Sequence, residues 1–347
     1  MMTPRQRVMA VLRGERPDKI PFTAYENKLM PSATERRLRN EGLCIVHRRA
    51  RAYKMTTPDC RLEEHIVQTG NIVESRSTWH TPAGPLSETL ERTGNASRRT
   101  EYLFKGPEDY AALLALIRGR RYQPTYEAFE SAQRQMGEDV FLRCDIGTSP
   151  LVTLMVHTMD VMTFGEEWLE RRERVLEVMD ALKENLRTIW KILADSPITL
   201  TNIGGNEIPE MVGPPRFKEH TIPLYNECAE ALHAKGKLLG SHLDGNNRAW
   251  ADALAACKLD LVEAFSPAPD TDMTLEEALN AWPDKILWIN FPSSVHLEGV
   301  AKVRKTAEEY VALARRTNRV IIGITEDYPQ ENWQENFLAI SDAVNRG

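Results

Sequence analysis

The sequence predicts a (β/α)8 barrel of the TIM type, distorted and carrying an inserted antiparallel β-hairpin region. Three observations lead there. From Gly106 onward, short apolar runs of strand length alternate with longer runs of helical period, the rhythm of parallel βαβ units. Between Leu62 and Phe104 the pattern changes to alternating β-branched and polar residues broken by turn signals. The apolar runs also end, one after another, on Asp, Glu, His or Asn, and catalytic groups in such barrels gather at C-terminal strand ends. The 347 residues suit one barrel, so residues 1–347 read as a single domain with a β-rich insertion at about 62–104.

The elements follow in order. Thr3-Pro4 opens a helix, with Val8, Met9, Val11 and Leu12 as its apolar face and Gly14 as its stop. Lys19–Ala24 reads as the first strand. Turn signals at Thr69-Gly70-Asn71, Pro82-Ala83-Gly84 and Gly94-Asn95 punctuate the hairpins. Phe141–Asp145 is the next strand, followed by helices within Leu151–Phe164 and Glu166–Ala194. Strand Ile198–Asn202 precedes a helix from about Pro215 to Ala234, which Pro223 should kink or split. Strand Lys237–Ser241, helix Arg248–Cys257, strand Asp260–Ala264 and helix Thr274–Ala281 come next. Strand Lys285–Asn290, helix Val300–Arg316, strand Arg319–Ile324 and helix Gln330–Val344 complete the chain. These make seven strands; a closed barrel needs an eighth, and an open doubly wound sheet is the alternative. Neither G-x-G-x-x-G after a strand nor G-x-x-x-x-G-K-[ST] occurs, which weighs against nucleotide binding.

Composition narrows the function classes. A net charge of −6, with no long Lys/Arg cluster, argues against nucleic acid; Arg36-Arg37 and Arg48-Arg49 read as solvated charges. The five cysteines have no C-x-x-C spacing, so neither a thiolate zinc site nor a disulfide framework is expected. The polar amphipathic start is not a signal peptide, and Pro150–Met162, interrupted by His157 and Asp160, is too short and polar to span a bilayer. A cytoplasmic protein without membrane contact is expected.

The strand ends supply the candidate site. They bring Glu26 and Asn27, Asp145, Asn206 and Glu207, His242 and Asp244, Glu263, Asn290, and Glu326. In extended backbone, residues i and i+2 face one side, so His242 and Asp244 could share one ion. Imidazole and carboxylate suit zinc. Glu326 is the candidate third ligand and Glu207 the fourth. His220 and His233 read as surface or packing residues, His47, His65 and His80 as part of the β-rich insertion, and His157 as pocket or helix. His296 lies close after Asn290. A capping Asp beside a core His is the competing reading of the His242–Asp244 pair.

Two stretches resemble the uroporphyrinogen decarboxylase superfamily. One is Thr3-Pro4-Arg5-Gln6-Arg7-Val8 through Arg13-Gly14-Glu15-Arg16-Pro17-Asp18-Lys19-Ile20-Pro21. The other is Ala231–Lys237 leading into Ser241-His242-Leu243-Asp244-Gly245. The resemblance implies a distorted (β/α)8 barrel, and it suggests a homodimer. It spans cofactor-free decarboxylases and zinc methyltransferases that work with corrinoid proteins. Decarboxylases of this superfamily carry an arginine-rich R-Q-A-G-R-Y segment after the opening; here Phe22–Lys28 brings Glu26 instead. The thiol-activating methyltransferases carry H-x-C and a distant Cys; here the first motif is His242-Leu243-Asp244 and the late position Glu326.

Carboxylates in place of thiolates leave zinc a harder Lewis acid, suited to an ether oxygen. The resemblance therefore implies the ether-cleaving O-demethylase group, which Glu26-Asn27-Lys28 and Asn290-Phe291-Pro292 also resemble. The expected activity is methyl transfer from a methyl ether, a methoxylated aromatic, to the cobalamin Co(I) of a corrinoid protein. His242, Asp244 and Glu326, with Glu207, would hold Zn2+. Glu26, Asn27, Asp145, Asn206 and Asn290 would meet the substrate. The alternatives are a cofactor-free decarboxylase, using Asp145, Glu207 or Asp244 as acid or electrostatic stabiliser, and a non-catalytic binding protein on the same barrel.

Overall fold

Thr3 caps the first helix, Pro4–Leu12, through a capping box: its hydroxyl accepts the Gln6 N–H, and the Gln6 carboxamide accepts the Thr3 N–H. The buried face, Val8, Val11 and Leu12, packs with Leu200, Leu261, Ile286 and Ile321, residues at or near the starts of four different strands. The helix thus closes the N-terminal end of a barrel. The computed structural model describes every residue except Arg49, Asn95 and Gly347. The Arg48-Arg49 and Gly94-Asn95 readings therefore fall partly outside the described residues.

Two compact units make up the chain, and the barrel belongs to the first: 1–52, 125–147 and 193–347. Its strands are β1 (Phe22–Tyr25) and β2 (Cys44–His47), which pair in parallel. The second unit, 53–124 and 148–192, holds β3 (Tyr53–Thr56) paired antiparallel with β8 (Arg121–Pro124). It also holds the antiparallel meander β4 (Arg61–Thr69), β5 (Ile72–Thr81), β6 (Gly84–Thr93) and β7 (Ala96–Glu101). This is the hairpin region expected between Leu62 and Phe104. Gly70, at φ +60°, makes the tight β4–β5 turn. Tyr110 and Glu167 join helices Tyr110–Arg118 and Val161–Glu170 of this unit by a hydrogen bond of 2.8 Å.

The remaining barrel strands are β9 (Val140–Leu142), β10 (Cys144–Asp145), β11 (Leu200–Gly204), β12 (Leu238–His242), β13 (Leu261–Phe265), β14 (Ile286–Asn290) and β15 (Val320–Ile324). The sheet has nine members in the order β10-β11-β12-β13-β14-β15-β1-β2-β9. Its two ends, β9 and β10, are consecutive in the chain and separated only by Arg143. They act as one interrupted strand, pairing β2 on one side and β11 on the other, so the sheet returns on itself. Counted that way the barrel has the eight strands its class requires. The strand that the sequence did not place is β2, and His47 belongs to it instead of the β-rich insertion. The expected helix across Pro215–Ala234 is divided: a π-helical turn, Phe217–Thr221, runs into helix Ile222–His233, with Pro223 in that helix's first turn.

Among the described residues, no helix is long and apolar enough to cross a membrane.

Candidate active site

Tyr25, Asp145, His242 and Asn290 are the last residues of β1, β10, β12 and β14, and Glu326 follows β15 by two. All therefore lie at the C-terminal end of the barrel, opposite the first helix. His242 and Asp244, read from their spacing as facing one side, are brought together: His242 Nε2 lies 3.8 Å from Asp244 Oδ2. The same nitrogen lies 3.6 Å from Glu326 Oε1. One ligand atom from each of these three residues lies within 4.8 Å of the other two.

The donor set suits a single cation. Ligands bound to one zinc at about 2.0–2.2 Å stand roughly 3–4 Å from each other, so this cluster needs little contraction to close on an ion. With a neutral imidazole, its two carboxylates match the charge of a dication. Glu326 Oε1 is buried and makes no hydrogen bond, as an oxygen reserved for a metal would. The other nitrogen of His242 is fixed: Nδ1 lies 2.9 Å from Glu263 Oε2. Glu263 is fully buried in β13, and its second oxygen meets the Arg143 guanidinium at 2.8 Å and the Tyr25 hydroxyl. Arg143, also fully buried, reaches Asp145 through Nε at 2.8 Å and through Nη2 at 3.2 Å.

Burial and charge pull against each other throughout this network. Burial raises the Tyr25 phenol well above its ordinary value, with the Glu263 charge adding to the rise. It also raises Asp145 and Glu326. It works against the His242 imidazolium, but hydrogen bonds to Asp244 and Glu263 outweigh it and hold His242 well above the usual histidine range. For Glu263 burial is likewise outweighed, here by the charges of Arg143 and His242, and its carboxyl is strongly lowered. In Asp244 the contact with His242 overcomes burial and lowers the carboxyl. Without a cation, the cluster thus favours a protonated His242 between ionised Asp244 and Glu263.

The other residues singled out from the sequence have different surroundings. Glu207 does not join the cluster. Its carboxylate folds back on its own loop, accepting the Gly205 N–H at 2.6 Å, because Gly204, Gly205 and Asn206 all have positive φ and turn the chain sharply. Asn206 itself is exposed. Glu26 and Asn27 hold Arg48, at 3.3 and 2.9 Å, over the ring of Tyr25. Asn290 accepts the backbone N–H groups of Thr325 and Glu326, which makes it a brace for the Glu326 loop. His296 is buried in a cluster with Phe291, Tyr328 and Phe337.

Sequence reasoning did not single out Arg143 and gave Glu263 no role. A signal existed for both, because each is one charged residue inside an apolar strand segment, Phe141–Cys144 and Leu261–Phe265.

A family model described as uroporphyrinogen decarboxylase (URO-D) matches residues 90–347. No curated protein matches the sequence. Among solved structures, a methyltransferase from Methanosarcina mazei superimposes with a TM-score of 0.59 at 14% identity, over 100% of this chain and 99% of that one. At that identity the likeness shows the fold alone. The Bacillus megaterium QM B1551 spore cortex-lytic enzyme SleL gives 0.39 at 11% identity, over 95% of this chain and 75% of its own. The pneumococcal virulence factor StrH gives 0.42 at 9%, over 97% and 85%. Nothing follows from these two for this chain.

Proposed function

The chain belongs to the uroporphyrinogen decarboxylase family, and on that premise we propose that it is a zinc-dependent methyltransferase that moves the methyl group of a methyl ether, a methoxylated aromatic, to the Co(I) of a separate corrinoid protein. The observation that carries this reading is the convergence of His242 Nε2, Asp244 and Glu326 at the C-terminal end of the barrel. The methyltransferase from Methanosarcina mazei, which shares the fold, is consistent with it.

His242, Asp244 and Glu326 are the residues that would hold the metal. A zinc bound there supplies Lewis acidity at the ether oxygen, where negative charge develops as the C–O bond breaks. The chain's own residues prepare the place. Asn290 holds the backbone of Glu326, and Arg143 occupies the carboxylate of Asp145. In the transfer, the methyl carbon would take an electron pair from the Co(I) of the corrinoid substrate, and the oxygen would leave with the C–O pair as a phenolate. No nucleophile or general base from this chain is needed for that step.

The test is direct. Purified protein supplied with zinc should bind about one ion per chain, and His242→Ala should lose it. With a reduced corrinoid protein and a panel of methoxyaromatics, methylcobalamin formation should appear in the absorbance spectrum. A protein that takes up no zinc, or that demethylates no ether while releasing carbon dioxide from a polycarboxylate, would favour the cofactor-free decarboxylase instead.

A further inference from the structure

We propose that Glu263 is the positioning residue of this site, fixing the His242 imidazole so that Nε2 is the nitrogen turned to Asp244 and Glu326. The inference rests on the zinc reading above and adds a residue that neither the spacing nor the resemblance assigns.

Three observations carry it. The first is register. β12 and β13 pair in parallel with His242 opposite Glu263, so the backbone sets the two side chains beside each other. The second is the donor count. An ionised carboxylate only accepts hydrogen bonds. Oε1 of Glu263 accepts the Tyr25 hydroxyl and forms an ion pair with the Arg143 guanidinium at 2.8 Å, which leaves Oε2 for His242. Nδ1 must then be the donating nitrogen, and Nε2 keeps its lone pair for the cation. Metal-binding imidazoles are commonly held this way by an outer carboxylate.

The third observation is local strain. The β13–β14 register shifts between Glu263 and Phe265, and the intervening Ala264 has φ +56° while fully buried. A bulge re-aims the side chain next to it, and a left-handed alanine is held only where its surroundings demand it. A buried Arg–Glu pair, moreover, contributes little stability compared with apolar residues of the same volume. Stability alone therefore does not account for Arg143 and Glu263 in apolar strands, whereas a fixed imidazole does.

The experiment measures zinc affinity by chelator competition, with circular dichroism and thermal unfolding to verify the fold. Glu263→Ala and Glu263→Gln should bind zinc about 10–100-fold more weakly than the wild type. Glutamine should not rescue, because its amide can satisfy His242 or the Arg143–Tyr25 pair but not both. Tyr25→Phe, which leaves no charge unpaired, tests the same network if the Glu263 variants fail to fold, and should weaken zinc a few-fold. Folded Glu263→Ala with wild-type zinc affinity overturns the positioning role and leaves the zinc reading standing. The same holds for an unchanged Tyr25→Phe if no Glu263 variant folds. A wild-type protein that binds no zinc overturns both.

Discussion

Asn290 holds Glu326 by its backbone: the side-chain oxygen of Asn290 accepts the N–H of Glu326 at 3.2 Å and that of Thr325 at 3.0 Å. The loop after β15 is thereby tied to the end of β14, and the Glu326 carboxylate is delivered toward His242. Asn290→Ala leaves both N–H groups without that acceptor, at a cost of about 1–3 kcal/mol for each that stays buried. The variant should unfold at lower urea concentration and bind zinc roughly tenfold more weakly. Wild-type affinity in a folded Asn290→Ala protein would show that the loop holds its place without the brace.

How much of this was legible in the sequence depends on the range of the interaction. His242 and Asp244 could be paired from spacing alone, because alternation along extended backbone is local. Glu326 could be named as a strand end, yet its approach to His242 depends on the closure of the whole barrel. Glu207, read from its strand end as a possible fourth ligand, lies outside the cluster, its carboxylate turned to the Gly205 N–H in a loop where Gly204, Gly205 and Asn206 all have positive φ. Two glycines allow such a turn without dictating it. β2 escaped notice for a related reason: Cys44–His47 is four residues long and follows a strongly charged helix, Ala33–Asn40, so neither neighbour announces it. Arg143 and Glu263 meet across the barrel interior, and only the assembled sheet shows that one charge answers the other.

Thiol chemistry provides a test of the core that does not involve the site. Cys44, Cys144, Cys228 and Cys257 are buried, whereas Cys60 is partly exposed. Burial pushes the thiol of Cys44 up to about 12 and that of Cys144 up to about 11, and it raises Cys228 and Cys257 as well. Native protein at pH 8 should therefore release one equivalent of chromophore from an aromatic disulfide reagent, and denatured protein all five. Cys60→Ser should abolish the native signal. Rapid reaction of a second thiol in the native state would contradict this packing.

Glycine substitutions separate backbone strain from crowding. Gly14 and Gly204 both have positive φ, +72° and +99°, so alanine is strained at either. At Gly14 a new Cβ meets nothing within 4 Å. At Gly204 it would lie 2.6 Å from Ser241 Oγ and 3.2 Å from Glu207 Oε2 and Tyr225 Oη. Gly14→Ala should cost about 1 kcal/mol from backbone strain alone. Gly204→Ala should add about 1–3 kcal/mol for overpacking a buried polar cluster. Urea unfolding of the two variants side by side measures the difference, and equal losses would mean that the loop at Gly204 yields freely.

Acid should weaken the fold through His296. Its ring nitrogens are buried without hydrogen-bond partners, and burial lowers the imidazole to about 4, against a smaller opposing pull from Asp270. The unfolded chain takes up the proton near the ordinary value of about 6.5. Above that pH the residue is neutral in both states and the stability it permits is fully present. As pH falls from about 6.5 toward 4 the unfolded state binds the proton first, so stability is progressively lost, by about 3 kcal/mol in total. His296→Leu removes the titration and keeps an apolar side chain among Phe291, Tyr328 and Phe337. Urea unfolding of both proteins from pH 7 to pH 4.5 isolates the effect, because every other titrating group is common to the two. The wild type should lose stability relative to the variant across that interval. A gap that stays constant with pH would mean that His296 is protonated in the native state or reaches water, and that the aromatic cluster around it is looser than its geometry indicates.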